Sequence, residues 1–381
     1  MLISTVYSLG LQYAWIHYQI TRSLSQALYD SGIYVERSVL LSKCAVLPKL
    51  DINIDESLQR GIIKIENCIK YDRRLDELPI GSALPNEYVL TSCYISDDSN
   101  DYIYEFEVFK LEQLVFNSYS EFSERVKKTD QYDLFLNDRH ILPMFHILLI
   151  GQTGSGKSYA LYNIILQMLT KENPWELYIA DPKYSGTYVI GNTICKDRVA
   201  SSTSDIVNLL SSFQVRMEQR KLEMNDNLLL RLDSDYRDFN LLPICLIIDE
   251  YSAFRASLTR YDKKTRDFVD EVLGNVVREG RQLGCFLIIA QQQTNSTNLP
   301  TELKENIPCK IILGMAERQT YITALGIYPD VAKRHFCVGQ GLLVYPGIAT
   351  PELPSVTTIP TLNFDILDTV KRICEDRAGV M

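Results

Sequence analysis

Met144-Phe145-His146-Ile147-Leu148-Leu149-Ile150-Gly151-Gln152-Thr153-Gly154-Ser155-Gly156-Lys157-Ser158 decides how the rest of the chain is read. An apolar run leads into a Gly-rich octet, and Tyr159 to Thr170 continues with a helical pattern. Strand, Gly-rich loop and helix in that order are the setting of a phosphate-binding loop. Gly151, Gly154 and Gly156 leave room for backbone N–H groups to approach phosphate oxygens, with Thr153 and Ser155 completing the cradle. The start of the helix adds partial positive charge. Lys157 has the reach for β- and γ-phosphates, and the Ser158 hydroxyl is a ligand for Mg²⁺.

A nucleotide site of this kind needs acids from a second strand. Pro243-Ile244-Cys245-Leu246-Ile247-Ile248-Asp249-Glu250 supplies them. Asp249 is expected to hold Mg²⁺, directly or through water, beside Ser158. Glu250 is expected to polarise an attacking water as general base. Paired acids at a strand end also cap a following helix, but the phosphate loop upstream favours chemistry. A Glu here points to hydrolysis, because it has a task only when water attacks. Asp181-Pro182-Lys183 follows the run Leu177–Ala180 and by itself reads as a strand-to-loop turn. Phe286–Ala290 ends in Gln291-Gln292-Gln293, where an amide either senses the γ-phosphate or opens a polar loop.

The runs Phe145–Ile150, Leu177–Ala180, Ile244–Ile248, Phe286–Ala290 and Lys310–Leu313 do not alternate with polar residues. They suit strands buried on both faces of a mostly parallel sheet, separated by helices. The expected class is α/β, with this motor domain spanning 126–360. Thr203 to about Met224 reads as helix, and Asn225 to Asn240 as a polar surface excursion. Pro346, Pro351, Pro354 and Pro360 mark an extended stretch, and 361–381 a C-terminal tail with a short helix. Residues 1–45 read as helical with a break at Asp30-Ser31-Gly32. Residues 46–125 read as a small β-rich α+β domain. Its strands are Ile62-Ile63-Lys64-Ile65, Tyr88-Val89-Leu90 and the alternating stretch Tyr102–Lys110, with a turn at Asp97–Asp101.

At 381 residues, 46% hydrophobic, the chain is long enough for two domains with a substantial core. A net charge of −9 excludes a protein that coats DNA with its whole surface, but not a local basic path. Nine scattered cysteines contain no Cys-x-x-Cys pair and suit a reducing cytoplasm better than a disulfide framework. His17, His140, His146 and His335 lack metal-ligand spacing. Met1–Ile20 is apolar but interrupted by Gln12, His17 and Gln19. It reads first as an amphipathic helix packed on protein. An interfacial anchor at the inner face of the membrane, or a span, stays open beside that.

Taken together, Gly151–Ser158, Asp181-Pro182-Lys183, Ile247-Ile248-Asp249-Glu250-Tyr251 and Gly280-Arg281-Gln282-Leu283-Gly284 resemble the FtsK/SpoIIIE family of DNA-translocating ATPases over roughly 130–345. The nearest resemblance within it is to FtsK-like coupling proteins of Gram-positive conjugative elements. The resemblance implies a RecA-like motor that assembles as a hexamer around duplex DNA without reading its sequence. It implies ATP and Mg²⁺ as ligands, and a relaxase and transfer-channel proteins as further partners. By position it places Asp181 at the nucleotide, Gln292 as sensor, and Arg281 and Arg318 as arginines that stabilise γ-phosphate charge, from the same or a neighbouring subunit. A surface salt bridge is the alternative for either Arg. The family's Ala-Thr-Gln-Arg-Pro reads Ala290-Gln291-Gln292-Gln293-Thr294 here. A winged-helix module after residue 360 is not expected, and sequence-directed translocation with it. Arg255 to Arg266 carries five basic residues and one acid, in a region that faces the pore in such ring motors. Lys263, Lys264 and Arg260 are the candidates for phosphate contact, against a solvated helix face as the alternative.

Overall fold

The computed structural model describes residues 2–39, 42–70, 74–75, 78, 80–85, 88–108, 113–228, 233–292 and 299–378. The chain divides into two units, Met1–Lys110 and Leu111–Met381.

In the first unit the helix Leu2–Asp30 puts Ile16, Ile20, Leu24 and Leu28 on one face, at intervals of four. That face shares a core with Ile52, Ile63, Ile65, Tyr102, Tyr104 and Phe106. These come from a four-stranded antiparallel sheet ordered Leu50–Ile54, Arg60–Glu66, Asp101–Val108, Tyr88–Ile95. Strict alternation of exposed and buried residues along Arg60–Glu66 gives the sheet one packed face. The helix and the sheet therefore belong to one unit and not to two segments meeting at residue 45. Helix also does not continue after Gly32. Gly32 has a φ of +67°, which ends the helix, and Val35–Val39 pairs antiparallel with Ser42–Val46. Lys110, the expected end of the alternating strand, lies outside the described residues. On the other face of the helix Leu11, Trp15 and Tyr18 are exposed. Among the described residues no helix is long and apolar enough to cross a membrane.

The second unit begins earlier than residue 126, because Val115–Phe116 and the helix Tyr119–Lys127 belong to it. Its centre is an eight-stranded sheet in the order Val199–Ala200, Glu176–Ala180, Ile244–Ile248, Cys285–Gln291, Ile147–Gly151, Cys309–Leu313, Gln340–Val344, Ser355–Thr358. The first six run parallel; Gln340–Val344 runs antiparallel to them, and Ser355–Thr358 pairs antiparallel with Gln340–Val344. Ile147–Gly151, Ile244–Ile248 and Cys285–Gln291 are buried at every position, which is why their sequences do not alternate.

Three segments differ from the sequence reading. The Pro-rich stretch is not a free extension: Ser355–Thr358 closes the sheet edge, with Pro354 and Pro360 flanking the paired residues, where a missing N–H is tolerated. Residues 361–378 are likewise not a tail. Thr361–Leu362 pairs with Val115–Phe116, and the helix Ile366–Ala378 sends Arg377 to the carbonyl of Leu169 at 2.6 Å. Of the polar excursion Asn225 to Asn240, the first four residues continue the helix Thr203–Leu228, and the described residues from 233 on are pinned by Tyr236, which is buried edge-on against Tyr132 at 5.4 Å and Phe286 at 5.7 Å. Truncating such a ring in a close-packed interior leaves a cavity. Tyr236→Ala is expected to lower stability by about 3–5 kcal/mol, read as a fall in the urea midpoint. An unchanged midpoint would show that the segment is as loosely held as its composition suggests.

Candidate functional site

The strand Ile147–Gly151 delivers the loop 151–158 to the carboxyl-terminal edge of the sheet, and the helix Lys157–Thr170 starts from it. Gly154 and Gly156 have φ values of +85° and +98°, a backbone that side chains rarely tolerate. Gly151 and Ser155 are buried while Thr153 and Ser158 face outward. The Ser155 side chain is turned under the loop, since a side chain on Gly151 would collide with its hydroxyl. Its N–H closes a turn on the Gln152 carbonyl at 3.0 Å, and its own carbonyl accepts from Gly339 N at 2.9 Å. The last strands of the sheet thereby brace the loop from behind.

The neighbouring strands bring the acids to the same edge. Lys157 Nζ lies 2.7 Å from Asp249 Oδ1 and 3.1 Å from Glu250 Oε1, with all three side chains nearly excluded from water. Asp249 Oδ2 accepts from Thr187 Oγ1 at 2.8 Å. Glu250 Oε2 takes Lys183 Nζ at 2.8 Å, and Gln292 Nε2 donates to Oε1 at 3.3 Å. Burial works against charge on Lys157, but Asp249 and then Glu250 outweigh it and hold its pKa above the ordinary lysine value. Burial likewise works to raise the Glu250 pKa, and Lys183 and Lys157 outweigh it, so the carboxyl titrates below the usual range. Glu250 also sits at φ +50°, ψ +44°, left-handed backbone that is costly for a side chain with a Cβ.

Lys157, Asp249, Glu250 and Gln292 are thus brought together, and Ser158 shares their edge of the sheet. Asp181 is not aimed at the nucleotide. Its Oδ1 accepts Lys183 N at 3.0 Å, while Oδ2 accepts Ser185 N, Ser185 Oγ and Tyr188 N at 2.7, 2.6 and 3.1 Å. Fully buried, it shapes the turn that carries Lys183 and Thr187. Those two polar contacts to the acids were missed. Nothing in Asp181-Pro182-Lys183 points Lys183 at Glu250, and no spacing rule marks Thr187.

The arginines separate. Arg281 stacks over the Phe145 ring at 4.9 Å, at the amino-terminal end of the strand whose far end carries the phosphate loop. Five strand residues at about 3.3 Å each stand between them, so Arg281 cannot serve the phosphates of its own subunit. The flanking glycines have a structural explanation: a side chain on Gly280 would strike the Cys285 carbonyl, and Gly284, at φ +70°, caps the helix Lys263–Leu283. Arg318 is exposed at the start of the helix Arg318–Leu325, over the Tyr328 ring at 5.4 Å. It is on the phosphate-loop edge, where a side chain on Gly314 would press on Ser155 Cβ. Gln293 and Thr294 lie outside the described residues.

After Glu250 come the helix Tyr251–Leu258 and then the helix Lys263–Leu283, whose N-cap Asp262 accepts from Thr265 N at 2.7 Å. Arg260, Lys263 and Lys264 are exposed. Two lysines in a first turn oppose the helix dipole, so helix stability does not explain them. Arg255 is spoken for, paired with Asp270 at 2.5 Å.

Residues 133–240 match the family model FtsK/SpoIIIE family. The chain is 25% identical over 227 residues to the Ftsk domain-containing protein YdcQ of Bacillus subtilis (strain 168), covering 59% of this chain and 45% of that one. It is 28% identical over 242 residues to the DNA translocase FtsK of Campylobacter jejuni subsp. jejuni serotype O:23/36 (strain 81-176), covering 61% of this chain and 23% of that one. It therefore spans less than half the length of these relatives. Among solved structures it is similar to the pCW3 conjugation coupling protein TcpA, monomer form with ATPγS. The TM-score is 0.58 and the identity 18%, over 87% of this chain and 94% of the other. At that identity the likeness is one of fold, an α/β fold around a large, mostly parallel sheet, as expected from the sequence.

In the nucleotide-free protein Lys157 is the shared counter-charge of two buried acids. Lys157→Met is therefore expected to cost about 3–5 kcal/mol of stability without any nucleotide, because it removes the cation paired with buried Asp249 and leaves Glu250 to Lys183 alone. Denaturant unfolding of the apo protein checks this. A variant as stable as wild type would mean that the ion cluster is not held as described.

Proposed function

With residues 133–240 an FtsK/SpoIIIE-family domain, we propose that the chain is an ATP-hydrolysing DNA translocase that serves as a coupling protein in conjugative transfer. The observation that carries this reading is the buried contact of Lys157 with both Asp249 and Glu250 at the mouth of the phosphate loop. A glutamate there has work to do only if water attacks the γ-phosphate.

The residues fit Mg²⁺: Asp249 is a hard carboxylate ligand already facing a cation, and Ser158 offers an outward hydroxyl on the same edge. Bound there with ATP, the ion would offset phosphate charge. The chain's own part is separable from that. Loop N–H groups and Lys157 bind and orient the phosphates. Glu250 takes the proton of the attacking water at a carboxylate oxygen. Gln292, hydrogen-bonded to Glu250, ties that carboxylate to the strand beside the phosphate loop. Arg318 completes the charge on the γ-phosphate, and Arg281 acts, if at the nucleotide at all, on that of a neighbouring subunit. A homo-hexamer encircling duplex DNA supplies such neighbours. Arg260, Lys263 and Lys264 contact phosphates without reading bases. A relaxase and transfer-channel proteins are the further partners, and the working place is the cytoplasm, with a peripheral site at the inner face of the membrane as the alternative.

ATP turnover with and without linear duplex DNA is the test. DNA should stimulate wild type, Lys157→Ala should abolish turnover, and Glu250→Gln should lower it by roughly 10²–10⁴-fold. Turnover indifferent to DNA would instead favour an ATP-gated adaptor that recruits a DNA–protein complex without moving it. Replacing Arg260, Lys263 and Lys264 by Ala should weaken binding to all duplexes alike. It should also flatten the log–log salt dependence by about one unit per lost phosphate contact. An unchanged slope would remove this face from the DNA path.

A further inference from the structure

We propose that Lys183 is the positioning residue that keeps the Glu250 carboxylate in place when Lys157 leaves it for the phosphates. This rests on the ATPase reading above and extends it to a residue with no role there. The two lysines do not compete for one oxygen. Lys157 holds Oε1, at 3.1 Å, and Lys183 holds Oε2, at 2.8 Å. When Lys157 turns to phosphate, Oε1 is released on the side of Lys157 and Gln292, while Oε2 stays anchored. The division assigns Oε1 as the oxygen that meets water.

Two further observations show why an anchor is needed and that one is built. Glu250 sits in left-handed backbone at the head of the helix Tyr251–Leu258. Such a residue keeps its conformation only when its surroundings over-determine it. Lys183, for its part, is carried on a turn fixed from inside by Asp181, which is fully buried and accepts four hydrogen bonds from residues 183–188. The next residue, Tyr184, is itself at φ +55°. A buried acid dedicated to one turn, strained backbone beside it, and a lysine reaching from that turn to a buried carboxylate exceed what a surface ion pair shows.

The test is steady-state ATPase of the full chain, with and without duplex DNA, for Lys183→Ala, Lys183→Arg and both changes combined with Glu250→Gln. ATPγS binding is measured separately. Lys183→Ala should lower kcat by roughly 10–100-fold, the scale of a misplaced catalytic group, and change ATPγS affinity by less than about 3-fold. Lys183→Arg should recover most of the rate. In the Glu250→Gln background the further loss should be under about 2-fold, because a residue acting through Glu250 has nothing left to position. Unchanged kcat overturns the proposal. So does a 10-fold loss of ATPγS affinity at retained kcat, which would put Lys183 on the phosphates, and so do losses that simply multiply. Failure of the underlying reading looks different: wild type itself would show no turnover that depends on Lys157. Thermal melting of Lys183→Ala separates loss of rate from loss of fold.

Discussion

The site depends on a small buried charge balance. Two cations, Lys157 and Lys183, meet two anions, Asp249 and Glu250. Lys157, Asp249 and Glu250 are buried and would each be expensive to bury alone, whereas Lys183 reaches Glu250 from an exposed position; each buried charge is tolerable because it faces its opposite at hydrogen-bonding distance. The balance also says how the nucleotide must arrive. Phosphates that draw Lys157 away leave two acids facing one lysine, an excess of negative charge beside more negative charge. On the proposed reading, a divalent cation entering with the phosphates would restore neutrality. Nucleotide without metal should on this ground bind poorly, whatever the quality of the loop.

Around that balance the fold acts as a positioning frame. Parallel strands end on one edge, so residues nearly a hundred positions apart in sequence meet there without any long loop. The same geometry separates residues that look related along the chain. Gly280-Arg281-Gln282-Leu283-Gly284 sits where a helix turns back into the start of a strand, at the edge opposite the phosphates. Its glycines answer to close approach and helix termination. The motif is specific because the turn is tight, and its arginine lies over the Phe145 ring.

Much of this was legible in the sequence, for a physical reason. Strands buried on both faces must be apolar throughout, so Ile244–Ile248 could be read to the residue, and Asp249-Glu250 marked its end. The phosphate loop carried its own flanks. What stayed hidden were contacts made across the sheet. Nothing local distinguishes Asp181 facing a nucleotide from Asp181 spending both oxygens on its own turn. Thr187 has no signature that points to Asp249. Residues 33–45 read as helix although Val35, Val39 and Val46 pair as a hairpin, because a run this short has no clear period. The prolines near the end suggested a loose extension, whereas an edge strand tolerates them at its borders.

The bond from Gly339 N–H to the Ser155 carbonyl has a consequence for biosynthesis. The phosphate-loop strand lies between Cys285–Gln291 and Cys309–Leu313, and its loop is braced by a residue later than either. A ribosome making this chain therefore releases the nucleotide motif long before the strands that shape it. During that interval Ile147–Gly151 is an apolar strand with both edges bare, the most aggregation-prone part of the nascent protein. Bracing of the loop waits for residue 339, and a chain stalled before it would carry every motif of the nucleotide site without the bond that holds the Ser155 carbonyl.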